Sequence, residues 1–257
     1  MYQRFASNYD RFNNWKDRLA FEIPFIEKQI RGLQREPGDQ LSILDAACGT
    51  GMHAIAFAKK GHKISGADLF PEMIEIAQEN ANLAGVKVNF RAVGFGSLSK
   101  EFDPCQFNAL LCMGNSLPHL LSREDVVDAL DDFNQCLRPG GILLIQNRNF
   151  DSIMQKKARW MEPQAFNEGN KEWLFQRFYD FEADGTIRFN IVTFSRTLGA
   201  DWQISIDHTR LRPLLFEDLS ALLHTSGFSS IEMFGDMTGN AFDPVTSPNL
   251  IIVARKA

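Results

Sequence analysis

The segment Asp45-Ala-Ala-Cys-Gly-Thr-Gly51 closes a short apolar run that begins at Leu41. Its glycines leave bare backbone, with no side chain at 49 or 51 to block a ligand. Asp68 closes the next strand-like stretch, Lys63-Ile-Ser-Gly-Ala67. A carboxylate there can accept both hydroxyls of a ribose lying across the carboxyl edge of a parallel sheet. Gly49-Thr-Gly-Met-His-Ala54 fits G-x-G-x-x-G/A, a pattern shared by sites for nicotinamide dinucleotides and for adenosyl ligands. Asp45 helps to separate the two. An anion beside the turn repels a pyrophosphate but welcomes a ligand with an amino group and a sulfonium. Plainer roles stay open, a turn cap for Asp45 and a helix N-cap before Pro71 for Asp68.

A second set of polar residues follows two later apolar runs. Met113-Gly-Asn-Ser-Leu-Pro-His-Leu120 comes after Phe107 to Met113, and Asn147-Arg-Asn-Phe-Asp151 comes after Ile142 to Gln146. In doubly wound sheets this is the edge where reactants meet. His119 is a candidate base for an oxygen nucleophile. It equally suits a structural role in the turn after Pro118.

The elements that position these residues alternate between two periods. Apolar runs at 41–47 and 107–113 read as buried parallel strands, 63–67 reads as the strand between them, and 86–90 alternates like a strand. Helices are expected over 52–60, from Pro71 to about Ala84, and from Ser122-Arg-Glu-Asp125, a capping box, to Leu137. Arg138-Pro-Gly-Gly141 should end that helix. This βαβα order implies an α/β fold, a parallel sheet with helices on both faces. Over 152–212 the pattern becomes an inserted antiparallel meander, with a hairpin at Asp184-Gly185. A helix near 215–226 and strands near 229–235 and 249–255 close the chain.

Composition narrows the class. The chain has 257 residues, 44% hydrophobic and 23% charged, with a net charge of −5. One domain over 1–257 is expected. No basic run marks a nucleic-acid partner, and no apolar stretch marks a membrane span. A cytoplasmic location is the resulting expectation. The four cysteines and five histidines are scattered, so no metal site is expected. Self-association as a homo-oligomer stays open.

From about residue 5 onward the sequence resembles the class I S-adenosylmethionine-dependent methyltransferases. The resemblance rests on Asp45–Gly51, Asp68 and Leu137-Arg-Pro-Gly-Gly141 before a strand. It implies a Rossmann-like, seven-stranded sheet in the order 3-2-1-4-5-7-6. It implies S-adenosyl-L-methionine as cofactor and S-adenosyl-L-homocysteine as product. Arg18, expected just ahead of an amphipathic helix, would then pair with the methionyl carboxylate, and Tyr9, in a lid segment over 1–36, would lie near the sulfonium or the acceptor. Ala47, Thr50, His53, Leu69, Met73, Met113 and Gly114 are expected around the cofactor with Asp45, Gly49, Gly51 and Asp68. An acid common after the third strand of that family is missing from Arg91-Ala-Val-Gly-Phe-Gly96, so Phe95 packing would hold the adenine.

Two motifs point further. Gly114-Asn-Ser and His119-Leu120 are similar to the Gly-Asn-Ser-x-x-His-Leu of the glycine and sarcosine N-methyltransferases, and Asn147–Asp151 resembles their His-Arg-Asn-Tyr-Asp. That likeness makes Arg148 the receptor of an amino-acid carboxylate, with Asn115 and the Gly114 carbonyl orienting the amine. A guanidinium suits the task because it pairs bidentately with a carboxylate. Asn147 and Phe150 depart from the motif, and the chain has only three tyrosines. Methylation of another small metabolite with His119 as base remains an alternative. A nicotinamide-dependent oxidoreductase and a non-catalytic nucleotide binder are remoter ones.

Overall fold

The structure, a computed structural model, describes residues 9–34, 36 and 38–257. The expected lid over 1–36 therefore lies partly outside the described residues. Strands β1 (Ser42–Asp45), β2 (Lys63–Asp68), β3 (Asn89–Ala92), β4 (Phe107–Cys112) and β5 (Leu137–Arg148) run parallel. Strand β11 (Asn249–Lys256) runs antiparallel between β5 and β10 (Phe228–Phe234). Across the sheet the order is β3-β2-β1-β4-β5-β11-β10. This is the doubly wound arrangement that the resemblance implied.

Strands buried on both faces read as unbroken apolar runs. Leu110 and Leu111 of β4, and Leu143 and Leu144 of β5, are fully or almost fully buried, and successive residues enter opposite cores. One core joins Leu110 and Leu143 to Phe133 and Leu219. The other joins Ile43 and Leu144 to Phe57 and Ile26. These residues come from helices α1 (Trp15–Ile30), α2 (Met52–Lys59), α5 (Arg123–Cys136) and α7 (Phe216–Thr225). Helix α3 (Pro71–Leu83) packs beside α2, and α4 (Leu98–Glu101) is a single turn. The capping box of Ser122 and Asp125 forms as expected. Among the described residues, no helix is long and apolar enough to cross a membrane.

Strands β6 (Gln164–Glu168), β7 (Lys171–Phe181), β8 (Ile187–Thr197) and β9 (Gln203–Leu211) form a separate antiparallel sheet. The inner face of β7 carries Trp173 and Phe175, and Phe175 meets Phe12 edge to face at 5.6 Å. This contact seats the second sheet on the N-terminal segment.

Several boundaries differ from the sequence expectation. Helix α1 starts at Trp15, so Arg18 lies in its first turn, where the Asn14 side chain caps the Asp17 amide. Strand β3 starts at Asn89, not Val86. Leu137 passes straight from helix to strand, so Arg138–Gly141 belongs to β5. Helix α6 (Phe150–Lys156) and strand β6 were not foreseen; Asn149 caps the former, and pairing with β7 holds the latter.

Gly51 begins α2 with φ +82°. A Cβ there would stand 2.9 Å from Phe90 Cζ and 3.0 Å from Ala77 Cβ. Gly51→Ala is expected to cost about 2–4 kcal/mol in urea unfolding, from left-handed strain plus overpacking. An unchanged midpoint would show that the turn relaxes.

Candidate active site

Two cavities adjoin at the carboxyl edge of the main sheet. The rim cavity, about 360 Å³, lies over the ends of β1, β2 and β4. Ala46, Ala47, Gly49, Asp68, Leu69, Met73 and Phe95 line it. The inner cavity, about 340 Å³, lies among the N-terminal segment, the end of β5 and the second sheet. Arg18, Asn115, Arg148, Arg177 and Tyr179 are part of its wall. Tyr9, Gly114 and His119 border both.

The two aspartates at this edge differ. Asp68 Oδ2 accepts from the Gly49 amide at 2.9 Å, and Oδ1 accepts from the Phe70 amide at 3.0 Å. Burial pushes its pKa up, and these amides oppose the shift. Each oxygen keeps a further lone pair, which suits a diol. Asp45, at the end of β1, is buried, and neither of its oxygens has a hydrogen-bond partner. Burial pushes its pKa up to about 6, with the nearby His53 opposing. An unpaired buried carboxylate is costly, and a cationic group would relieve it. Tyr9 covers this turn: its Cε1 would stand 3.4 Å from a Cβ at Gly49. Burial raises the Tyr9 pKa, so the phenol stays neutral.

A buried carboxylate that sequence reasoning missed organises the seam. Arg18 Nε donates to Glu22 Oε1 at 3.1 Å, Gln146 Nε2 donates to the same oxygen at 3.1 Å, and His53 Nε2 lies 2.6 Å from Oε2. Burial alone would raise the Glu22 pKa, but His53 and Arg18 together hold it below the ordinary value. Gln146 Oε1 in turn accepts from the Gly114 amide at 3.2 Å. Asn115 sits at φ +66°, a region that Asn tolerates, and its Oδ1 accepts from the Arg148 amide at 2.9 Å. The loop after β4 is thus tied to the end of β5.

The structure brings most of the expected site residues together but turns some elsewhere. Ala47, Gly49, Asp68, Leu69, Met73, Phe95 and Gly114 meet at the rim. Arg18 lines the inner cavity, its guanidinium held by Glu22. Asp45, Thr50, Gly51, His53 and Met113 line neither cavity, Asp45 lying directly behind the rim residue Ala46. Thr50 Oγ1 donates to Asp10 at 2.6 Å, His53 faces Glu22, and Met113 packs in the apolar core. Asp10 also accepts from Trp15 Nε1 at 2.7 Å, so it pins the N-terminal segment to the glycine turn. His119 is mostly buried, and burial pushes its pKa down to about 4. Glu22 carried one legible signal, its i,i+4 spacing from Arg18. Among the described residues no cluster of side chains could hold a metal ion.

Fold and site together define a class I methyltransferase architecture with a nucleotide rim. A family model described as a methyltransferase domain matches residues 43–141. The glycine/sarcosine N-methyltransferase of Aphanothece halophytica is 28% identical over 90% of this chain and 81% of its own length. Two solved structures share the fold. Streptomyces venezuelae DesVI has a TM-score of 0.78 at 20% identity, over 98% of both chains. An S-adenosylmethionine-dependent methyltransferase from Clostridium acetobutylicum has a TM-score of 0.77 at 17% identity, over 99% of this chain and 98% of that one. The chain is an S-adenosylmethionine-dependent methyltransferase, similar in sequence to the glycine/sarcosine N-methyltransferases. The residues present fit the cofactor: Asp45 lacks a cationic partner, and Asp68 keeps free lone pairs beside bare glycine backbone.

Asp45 gives stability and binding opposite signs. Its folded pKa stands above the ordinary 3.8, so ionisation costs folding energy as pH rises from about 4 to 6. Asp45→Asn is expected to stabilise the cofactor-free protein at pH 7.5 by on the order of 1–3 kcal/mol, with no gain at pH 4. The same variant should bind S-adenosylmethionine at least tenfold more weakly. Chemical denaturation at both pH values and titration calorimetry check the two halves.

Proposed function

We propose that the enzyme methylates the amine nitrogen of a small amino acid of the glycine or sarcosine kind. The observation that carries this reading is Arg148, set at the end of β5 in a cavity that meets the cofactor rim at Tyr9, Gly114 and His119. The curated relative from Aphanothece halophytica, a glycine/sarcosine N-methyltransferase, supports it.

Bound S-adenosylmethionine supplies a methyl group on a positively charged sulfur, so the electrophile arrives activated. The chain's task is alignment, which can contribute roughly 7–11 kcal/mol. Arg148 anchors the acceptor carboxylate. The Gly114 carbonyl and the Asn115 side chain orient the amine, and the brace through Gln146 and Glu22 holds that loop still. Tyr9, as a neutral phenol, closes the seam. The N-terminal segment and the insert at 152–212 act as lid and cover and exclude water, which favours an uncharged amine.

His119 bears on the rival reading. A ring whose pKa lies near 4 is a poor base, so it fits a wall of the seam better than deprotonation of a hydroxyl. An amine that arrives neutral needs no such base.

Arg148→Ala is expected to raise KM for the amino acid about 10- to 100-fold, the loss of a charged hydrogen-bonded pair, while S-adenosylmethionine affinity stays within twofold. Unaltered kinetics with an amino-acid acceptor would remove the assignment. The pH profile of kcat/KM should rise with the acceptor's own amine pKa and move when glycine is exchanged for an acceptor of different basicity. A limb that stays fixed would assign the proton to a protein group instead.

A further inference from the structure

The inner cavity holds more positive charge than one carboxylate neutralises. Arg177, on the inward face of β7, lines it opposite Arg148. Among the described residues, neither guanidinium forms an ion pair with a carboxylate. The neutral Tyr179 hydroxyl lies close enough to Arg148 to feel its charge. The Nε of Arg177 is buried without any hydrogen-bond partner, and its guanidinium lies 4.7 Å over the Phe12 ring. Stacking of that kind fixes the plane of the fork in advance of a ligand. Burial first, and the Arg148 charge second, push the Arg177 pKa down to about 10. The group is still a cation near neutral pH, held at a cost that an anion would remove.

An acceptor with a neutral amine and one carboxylate carries a single negative charge. Two guanidiniums call for two.

We propose that Arg177 is the receptor of a second anionic group on the acceptor, so that the substrate shares the amine and carboxylate of glycine or sarcosine but bears a further carboxylate or a phosphate in place of their missing side chain. This rests on the reading above, in which Arg148 takes the first carboxylate. Arg148 would fix the end of the acceptor that carries the amine, and Arg177 would select for the side chain.

Titration calorimetry on the full chain, saturated with S-adenosylhomocysteine, separates the two assignments without turnover. The probes are butyrate, glutarate and 3-phosphonopropionate. Glutarate or 3-phosphonopropionate is expected to bind at least tenfold more tightly than butyrate, and the tighter of the two names the second group. Arg177→Met should bring the dianions down to the affinity of butyrate. Arg177→Gln guards against misfolding of that variant and should lose the preference as well. Arg148→Met should weaken all three probes. Equal affinity for butyrate and glutarate, or a preference that survives both Arg177 variants, overturns the second-anion assignment and leaves Arg148 standing. Tighter binding of the apolar-tailed butyrate overturns it too, in favour of an apolar side chain against Phe189 and Ile191. If no anion binds, or if Arg148→Met changes nothing, the carboxylate-receptor reading fails and the second subsite with it.

Discussion

A carboxylate buried among apolar groups must be neutralised from several sides, and Glu22 meets that constraint with partners from three parts of the chain. Arg18 comes from its own helix, His53 from the helix after the glycine turn, and Gln146 from β5. Each contact also fixes a distance between elements. Stranding such a charge costs on the order of 3–5 kcal/mol, so α1 cannot shift without a large penalty. The position of α1 sets the N-terminal segment, and Asp10 then pins that segment to Thr50. Tyr9 borders both cavities as a result. The seam between cofactor rim and inner cavity follows from how one acid is buried.

The charges on the two sides of the seam are sorted by sign. Asp68 lines the rim with Asp45 buried behind it, next to Ala46, and the inner cavity carries Arg148 and Arg177. A ligand with a sulfonium and an ammonium matches the first, and an anionic acceptor matches the second. Exchanging the two would set like charges together at a cost of several kcal/mol. At the seam itself stand Tyr9, held neutral by burial, and His119, whose ring burial also keeps uncharged near pH 7.

Much of this was legible in the residues, for physical reasons. Strands buried on two faces announce themselves as apolar runs, so β1, β4 and β5 could be placed, and β2 followed from its position before Asp68 and Pro71. Strand β6 could not, because Gln164-Ala-Phe-Asn-Glu168 is mostly exposed and only pairing with β7 defines it. Gly49 and Asp68 were legible because the chain turns outward there. Thr50, His53 and Met113 lie beside the same motifs, but Gly51 starts a helix and Met113 still belongs to the buried layer, so their side chains turn inward. Glu22 reads as a solvated position on an amphipathic helix. Only tertiary contact with His53 and Gln146 makes it a brace. Arg177 and Tyr179 alternate in step with Trp173 and Phe175, which shows a shared face but not that the face borders a cavity.

Native proteins leave few buried polar groups unpaired, and those that remain call for an explanation. Asp45, next to rim residues Ala46 and Ala47, and Arg177, in the inner wall, are two such groups of opposite sign. Each raises the energy of the protein, and on the proposed reading a ligand of the complementary charge would relieve it. Binding energy that repairs such a defect acts only when the ligand sits where the defect is. On that reading the cost of the two unpaired groups would be converted into alignment, and alignment is what an in-line methyl transfer asks of a protein.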